Sequence, residues 1–477
     1  MCENCSRREF ISTTALSSLL LAGARAGGQT TAEGTPPAPL PSKVRICAIF
    51  AGNPTPADRG WGVCEEEIAA MQEHLKQVEK KLGNVEFVVG RANTANEAAA
   101  LMKQAGDEAP VLAVNLCIGG LLRVSGPILE SGRPLAVFSA PASGHDWMYP
   151  FRWRQEGKPV TMFTSSSYEE LERAARLLRV IPLLRHSRAL VFLPLRGTPA
   201  ARSPEEIKSR LGVEMVVVGQ ERFDEMMKGV DPQKAEADAQ QWIREAKKVV
   251  EPTHEDVLKA ARANLALGQL MDEEKAQALA VGTCMGWLGR GFPCLGFTRL
   301  RDRGIPAACE GDMDSVWTML LFQYMFGIPG FQGNATFDTS KNALWTAHCV
   351  GPTKMDGPDG EAAPYLLRSH SEIGGGVVPE IQYRIGQKIT RTKLVNLESL
   401  LISTGTIREV PEKSVRACRT QIVTEVDDAA GMVRKWGGGV LEGDMMTLLH
   451  RVVFYGDHVQ SARHLADLMK MQVVEEG

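Results

Sequence analysis

Short apolar runs alternate with amphipathic segments over the first two thirds of the chain. Residues 44–50 form an apolar stretch typical of a buried strand, and residues 65–82 repeat apolar positions at helical spacing. The same pattern predicts strands at 85–89, 111–118, 134–139, 189–193, 214–218 and 278–282, and helices at 95–105, 121–129, 168–178, 204–211, 234–248 and 254–271. Strands that alternate with helices predict βαβ units and parallel sheets.

From about Phe337 the apolar positions alternate with a period of two. Residues 387–394 and 400–407 show this pattern, which predicts antiparallel strands, and residues 459–469 form a last amphipathic helix. The predicted fold class is therefore α/β. We expect two doubly wound parallel-sheet domains, at residues 43–178 and 179–336, followed by a β-rich α+β C-terminal domain at 337–477.

One acidic stretch stands out in the second predicted domain. The apolar run 305–309 ends at Glu310 within the sequence Cys-Glu-Gly-Asp, and a helical pattern closed by Gly327 follows. This order predicts a buried strand that delivers a carboxylate to its carboxyl end, where open α/β sheets bind ligands. Asp312 and Asp314 equally suit helix N-caps.

Two more polar residues stand near the ends of the next apolar elements. Asn334 ends one element and His348 lies in another, so a carboxylate, an amide and an imidazole follow each other along the chain. These ligand types suit a divalent metal and a polyhydroxyl substrate. His348, between Ala347 and Cys349, equally suits a core histidine with satisfied hydrogen bonds.

A loop at residues 140–149 follows a predicted strand end in the first domain. His145 and Trp147 give it a polar group and a flat apolar face, which is the combination that sugar binding uses. An ordinary surface loop with a buried tryptophan is the alternative interpretation.

Composition narrows the class of protein. The chain has 477 residues, 44% apolar and 23% charged, as in soluble globular proteins of about three domains. A net charge of −3 gives no reason to expect nucleic acid or an anionic membrane as partner. No apolar run reaches the roughly 20 residues that span a bilayer. GxGxxG and P-loop motifs, the usual markers of nucleotide binding, are also missing.

The first 42 residues predict an export signal and a linker. Arg7 and Arg8 precede a modest apolar stretch, and Ala24-Arg25-Ala26 resembles a cleavage site, as in twin-arginine signals. Residues 27–42 have a disordered-linker composition. We therefore expect a protein carried by the twin-arginine export machinery to a periplasmic or otherwise exported location. A frayed cytoplasmic tail is the alternative.

Five of the ten cysteines are expected to be buried packing residues. Cys47, Cys117, Cys284, Cys309 and Cys349 lie in apolar runs, where free cysteine behaves as a small hydrophobe. The spacings after the signal contain no paired CxxC sets, so structural zinc is not expected. Disulfides are left open.

Three segments carry a resemblance to a known family. Residues 276–319, with Pro293-Cys294-Leu295 and the Cys-Glu-Gly-Asp motif, resemble the L-fucose/L-arabinose isomerase family. Residues 400–421 and 450–458 extend the resemblance over most of the C-terminal half. The first half matches only in architecture.

The resemblance implies a metal-dependent isomerase that interconverts the aldose and ketose forms of a pentose or deoxyhexose through an ene-diol. It makes Glu310 both metal ligand and catalytic group. Oxygen-rich ligation with one imidazole suits Mn²⁺ or another divalent cation as the cofactor. Asn334 stands where the family has a second catalytic, metal-binding carboxylate; an amide can ligate through its oxygen but cannot act as a base. His450 is the third ligand if the family uses the first residue of its His-His pair; Arg451 takes that place if it uses the second.

The remaining expectations concern substrate and assembly. Predicted substrate contacts are His348, Asp312, Trp147, His145 and Arg451, and the resemblance implies a homo-oligomer, a trimer or hexamer. Two alternatives stay open. One is a sugar-binding protein on the same scaffold without catalysis, which Asn334 and Arg451 favour, and the other is a lyase or epimerase of altered chemistry.

Overall fold

Five parallel strands with interleaved helices form the first sheet of the computed structural model, which describes residues 40–282, 284–411, 417–436 and 448–477. The strands are β1 (Val44–Ala51), β2 (Val85–Ala92), β3 (Val111–Asn115), β4 (Leu135–Ser139) and β5 (Val160–Thr164). The helices are α1 (Glu65–Leu82), α2 (Ala95–Ala105), α3 (Gly120–Glu130), α4 (Met148–Gln155), α5 (Glu169–Leu178) and α6 (Val180–Arg185). The strand order β2-β1-β3-β4-β5 is one of the two common doubly wound orders.

A second parallel sheet has the strand order β10-β9-β6-β7. Its strands are β6 (Arg188–Phe192), β7 (Glu214–Val217), β9 (Ala278–Val281) and β10 (Ala307–Ala308). The helices of this region are α7 (Pro199–Arg202), α8 (Pro204–Arg210), α9 (Gln220–Gly229), α10 (Pro232–Glu245), α11 (His254–Glu273), α12 (Cys294–Asp302) and α13 (Met313–Phe326). The predicted α/β class with parallel sheets is thereby confirmed.

The third large sheet is antiparallel and closes into a barrel. Its strands are β11 (Phe331–Asp338), β12 (Ala343–His348), β15 (Lys388–Val395), β16 (Ser399–Glu409), β17 (Thr420–Glu425) and β18 (His450–Tyr455). They pair in the order β15-β18-β11-β12-β17-β16, and β15 pairs again with β16 to close the ring. Helices α14 (Ala429–Lys435) and α15 (Val459–Met469) and strand β19 (Gln472–Glu475), parallel to β16, complete this region.

The sheets do not follow the predicted domain boundaries. The boundary expected after residue 336 falls inside β11, which pairs with β12 and β18 of the barrel. A small sheet joins β8 (Lys248–Val249) to β13 (Tyr365–Arg368) and β14 (Val378–Ile381), so it links the middle and the end of the chain. The described residues all belong to one compact unit.

Helix α13 lies at the centre of this unit. Twelve of its residues are buried, because it packs against α5 and the second sheet as well as the barrel. Asp312 caps its N-terminus by accepting a hydrogen bond from the Ser315 amide (3.0 Å), and Gly327 ends it in the left-handed conformation (φ 71°), as predicted. Its first turn is therefore held rigidly next to Glu310.

Some elements differ from the sequence-based expectation. The loop expected at 140–149 contains a short 3₁₀ turn, Pro141–Ser143, and runs into α4; strand β5 and helices α9 and α12 were not predicted. No helix in the described part of the chain has the length and apolar character that crossing a membrane requires. The predicted signal and most of the predicted linker, residues 1–39, lie outside the described residues.

Candidate metal centre

Glu310 stands where three parallel strands end. It follows β10 after one residue, Cys309, and the chain just beyond the ends of β9 and β6, at Gly282 and Pro194, lies against the next residue, Gly311. The backbones are so close that a methyl group added at Gly282 would lie 1.8 Å from the Pro194 carbonyl oxygen. Glu310 itself has a left-handed backbone (φ 59°), which costs a non-glycine residue about 1–2 kcal/mol and often marks a functional position.

Two imidazoles from the barrel approach the Glu310 carboxylate. His348 Nε2 lies 3.9 Å from Oε1, and His450 Nε2 lies 3.8 Å from Oε2. One ligand atom from each of the three side chains falls within 4.8 Å of the others. His348 ends β12 and His450 begins β18, so the barrel supplies both imidazoles and the parallel sheet supplies the carboxylate.

This arrangement fits a metal ion. The Nε2 atoms of His348 and His450 are buried and have no hydrogen-bond partner among the described residues. A buried polar atom without a partner carries a desolvation cost, which a coordinated cation would remove. The side chains of His348 and His450 are 1% and 0% exposed, whereas that of Glu310 is 28% exposed. Glu310 therefore faces the open side of the group.

His348 is in the protonation state that coordination requires. Burial, reinforced by the nearby charges of His450 and Arg301, holds its pKa well below the usual 6.5. The imidazole is neutral at pH 7 and keeps a lone pair on one ring nitrogen. The sequence offered this imidazole both as one of the ligand types that suit a metal and as a substrate contact, and the structure places it among the possible ligands.

Asp312 sets the tautomer of His450. Its Oδ2 lies 2.9 Å from His450 Nδ1 and 2.9 Å from Lys393 Nζ, and all three side chains are fully buried. Burial alone would raise the pKa of Asp312, but the Lys393 charge and hydrogen bonds from His450 and Ser315 hold it below its ordinary value. The Gln332 amide nitrogen also lies 3.2 Å from His450 Nδ1. Because a carboxylate only accepts hydrogen bonds, the contact with Asp312 is a hydrogen bond when Nδ1 of His450 carries a proton, and in that neutral tautomer Nε2 presents its lone pair towards Glu310.

Asp312 therefore supports a possible metal ligand and is not placed to contact a substrate as predicted. Its carboxylate is occupied by Ser315, His450 and Lys393, so it orients a possible ligand from behind. Asp314 is not the N-cap but lies inside α13. There it accepts hydrogen bonds from the amide (2.7 Å) and hydroxyl (2.5 Å) of Thr198, which joins the second sheet's loop to the helix.

Gln332 is a positioning residue that the sequence did not reveal. Its amide oxygen accepts from the Cys309 backbone amide (3.1 Å), and its nitrogen donates to the Cys309 carbonyl (3.2 Å). This reciprocal pair fixes the strand end before Glu310 against β11. In the sequence, the position of Gln332 between Phe331 and Gly333 in an apolar run indicates a buried amide. That pattern does not show that Cys309 is its partner.

Asn334 lies on the strand next to His450. The two residues are directly opposite in the antiparallel pairing of β11 with β18, so their side chains leave the sheet on the same face. Asn334 is half-buried. The sequence-based expectation that it is close to His450 therefore agrees with the register. Asp338 lies near the other end of β11, where it accepts a hydrogen bond from the exposed Ser340.

The expectation that Arg451 contacts substrate is wrong. Its guanidinium is fully buried and donates to both carboxylate oxygens of Glu476, at 2.9 and 2.6 Å. It also lies 3.8 Å from the centre of the Trp436 ring. Successive residues of a strand point to opposite faces, so with His450 turned towards Glu310 the Arg451 side chain points away.

His145 and Trp147 occupy a separate surface at the carboxyl end of the first sheet. Trp147 is 53% exposed, which excludes the alternative of a buried tryptophan, and the His145 ring lies 5.1 Å from that of Trp61. Asp146 in the same loop accepts from the amides of Gly119 and Leu121 and so anchors the loop to α3.

The Cys418 thiol is close enough to Glu310 to be affected by its charge. Burial, together with the charges of Glu372 and Glu310, raises the pKa of this thiol to about 12.

Comparison with known proteins adds no family. No protein-family model matches the chain, and no curated protein matches it significantly.

Proposed function

We propose that this protein is a metal-dependent sugar isomerase, which interconverts the aldose and ketose forms of a pentose or deoxyhexose through an ene-diol. The observation that carries the proposal is the convergence of Glu310, His348 and His450, with two buried Nε2 atoms left without partners among the described residues. The resemblance of residues 276–319 to the L-fucose/L-arabinose isomerase family supplies the reaction class.

The proposed cofactor is Mn²⁺, held by Glu310, His348 and His450, with the Asn334 amide oxygen as an additional ligand. A bound divalent cation would polarise the sugar carbonyl and stabilise the negative charge that develops on the sugar oxygens. Carboxylate and amide oxygens suit Mn²⁺, and imidazole is compatible with several first-row metals. Metal identity therefore has to be measured.

Glu310 is the proposed base. It is the only carboxylate of the proposed ligand set, and its greater exposure leaves it accessible to a substrate that the two buried imidazoles do not face. A carboxylate can remove a proton from the carbon next to the carbonyl and return it to the former carbonyl carbon. The hydroxyl proton moves from one sugar oxygen to the other, which completes the isomerisation. Asn334, which cannot take up a proton at neutral pH, serves in this proposal as an oxygen donor.

His450 and Asp312 act as a unit in this proposal. Asp312, neutralised by Lys393, holds the Nδ1 proton of His450 and thereby keeps Nε2 directed at the site. Buried histidine–carboxylate pairs of this kind orient metal ligands and increase their basicity.

Sugar recognition is proposed for the first-sheet surface of His145 and Trp147, where an exposed indole offers a flat apolar face. The resemblance implies a homo-oligomer whose pockets form at subunit contacts, so this surface would serve the Glu310 site of a neighbouring copy. Twin-arginine export to the periplasm is likewise proposed on the sequence of residues 1–42 alone.

The test combines metal content with proton exchange. Purified protein is measured for bound Mn, Fe and Zn, then incubated in D₂O with aldopentoses and deoxyhexoses, and deuterium at the carbon next to the carbonyl is followed by NMR. We expect Mn²⁺-dependent incorporation that Glu310→Gln abolishes. Glu205→Gln, on the exposed surface of α8, is the control and should retain full exchange.

Other outcomes would select the alternatives. Bound metal with exchange but without ketose product would favour an epimerase or lyase. Sugar-dependent thermal stabilisation without metal or exchange would favour a sugar-binding protein, which the neutral Asn334 at an expected carboxylate position supports.

A further inference from the structure

Five cysteines gather behind Glu310. Cys284 Sγ lies 3.4 Å from Cys309 Sγ, which lies 4.0 Å from Cys349 Sγ, and all three side chains are nearly inaccessible to solvent. Cys294 interacts with Cys349, and Cys418 is close enough to raise the pKa of Cys294. These residues come from separate segments of the second sheet and the barrel, so tertiary folding alone brings them together.

His348 adds an imidazole next to two of these side chains, Cys309 and Cys349. His348 Nδ1 lies 3.5 Å from Cys349 Sγ, and one ligand atom each from Cys309, His348 and Cys349 falls within 4.8 Å of the other two. His348 thus has two different sides. Its Nδ1 side faces sulfur, and its Nε2 side faces the carboxylate of Glu310.

The donor set has a defined chemical preference. Thiolates with imidazole select soft cations such as Cu⁺ and Zn²⁺, whereas the Glu310 side with its oxygen ligands suits harder ions. Sulfurs bound to one tetrahedral zinc at about 2.3 Å lie about 3.8 Å apart, and the two sulfur–sulfur distances bracket that value. No large backbone movement is needed for two of these sulfurs to share one ion.

We propose that Cys309, Cys349 and His348 form a binding site for one soft, thiophilic cation, which uses Nδ1 of His348 where the site at Glu310 uses Nε2. Because a neutral imidazole has one lone pair, the two cations bind as alternatives. Two thiolates and one imidazole match the low coordination number of Cu⁺. Zn²⁺, which is almost always four-coordinate in structural sites, would additionally recruit Cys284 from its position beside Cys309. Each thiol that binds releases its proton to solvent.

This site would give the cysteines a role that packing alone does not. A cysteine that only fills space can be replaced by alanine or valine without loss of any ligand. The His348 imidazole beside these sulfurs is a buried polar group, and its Nδ1 is in contact with the Cys349 sulfur, which is only a weak hydrogen-bonding partner.

The test uses the full-length protein, prepared without added metal under reducing, anaerobic conditions. It is titrated with Cu⁺ and, separately, with Zn²⁺; stoichiometry is measured by mass spectrometry of the metal, and thiolate charge transfer by ultraviolet absorption. We expect one equivalent of Cu⁺ with a charge-transfer band, and X-ray absorption should show two sulfur ligands and one nitrogen ligand. The double variant C309A/C349A should lose at least about 100-fold in Cu⁺ affinity.

Matched variants make the result specific. Cys47→Ala, at a fully buried cysteine of the first sheet, should leave Cu⁺ binding unchanged. Cys284→Ala should weaken Zn²⁺ more than Cu⁺. Glu310→Gln should keep the Cu⁺ band while losing Mn²⁺, so failure of this site and failure of the isomerase proposal are distinguishable.

Two results would overturn the proposal. One is a wild-type protein whose X-ray absorption shows no sulfur ligand to Cu⁺ or Zn²⁺, a measurement that stays valid if the double variant fails to fold. The other is a disulfide between Cys284 and Cys309 that persists in the reduced preparation together with no bound soft metal.

Discussion

His450 Nδ1 lies 2.9 Å from Asp312 Oδ2 within a fully buried pair. The two residues are 138 positions apart in the chain, one on a barrel strand and the other at the first turn of α13. This single contact orients one possible metal ligand, and it links the barrel to the strand end that carries Glu310.

Replacement of Asp312 by asparagine should weaken metal binding without removing a ligand. The variant loses the charge that fixes the Nδ1 proton of His450, and loss of such partners typically costs about 10–100-fold in metal affinity. Mn²⁺ affinity is measured by calorimetry alongside thermal unfolding, which verifies that the variant is folded. Asp338→Asn, at a surface aspartate hydrogen-bonded to Ser340, should bind normally. An unchanged affinity in Asp312→Asn would remove Asp312 from the proposed unit.

Glycine should be tolerated better than alanine at position 310. The left-handed backbone of Glu310 disfavours any side chain, so Glu310→Gly should be more stable than Glu310→Ala by about 1 kcal/mol in urea unfolding. Both variants should lose deuterium exchange. Glu73, an exposed residue inside helix α1, is the control, and there we expect the opposite order. Glu73→Gly should be less stable than Glu73→Ala by about 1 kcal/mol. The same order at both positions would show that residue 310 is not strained.

A methyl group at Gly282 should disrupt the strand ends below Glu310. Alanine there would collide with the Pro194 carbonyl oxygen, and neither backbone can move without shifting Gly311. We expect Gly282→Ala to lower the free energy of unfolding by about 3 kcal/mol or more and to reduce metal affinity, since overpacking a tight site costs about 1–3 kcal/mol even where side chains can adjust. Gly286→Ala, where a methyl group meets no atom within 4 Å, is the matched control and should be nearly neutral. Equal stability of the two variants would contradict the close approach.

Stability should fall between about pH 6.5 and pH 4, partly because of His464. Burial lowers the pKa of this residue from 6.5 to about 4, so below pH 6.5 the unfolded chain takes up a proton that the folded protein does not. His464 lies against Phe163 and 2.7 Å from the Thr161 hydroxyl, where α15 packs on the first sheet. His464→Gln should reduce the pH slope of the unfolding free energy by up to about 1.4 kcal/mol per unit in this window. An unchanged slope in His464→Gln would contradict this assignment.

The proposed oligomer makes a prediction for the first-sheet surface. Trp147 and Phe151 are 53% and 60% exposed, and contiguous apolar exposure of this kind is typical of contact surfaces. Phe151→Glu should shift the molar mass measured by light scattering towards the monomer, because a charge there would have to be buried. Arg152→Glu, at the neighbouring exposed position, should have a smaller effect. A monomeric wild-type protein would refute the oligomer outright.

The local pattern of apolar and polar residues was sufficient to predict much of the architecture. Helix α15 and helix α1 have the bounds that apolar spacing predicted, and the carboxylate at residue 310 stands at a strand end as expected. These features depend on residues a few positions apart, whose periodicity is visible in the chain. The ends of β11 could not be predicted as well from the sequence, because the pairing that defines this strand involves residues as distant in the chain as β18.

The sequence by itself determined the α/β class, the antiparallel C-terminal region and the candidacy of Glu310, Asn334 and His450. Only the tertiary structure decided that His348 lies beside His450 at Glu310, that Arg451 turns away to Glu476, and that the cysteines converge near Glu310. Strand alternation requires His450 and Arg451 to face opposite sides, but it does not say which side meets Glu310. Closure of the barrel on the parallel sheet makes that choice, because the burial and pairing of distant side chains are global properties that no local spacing records.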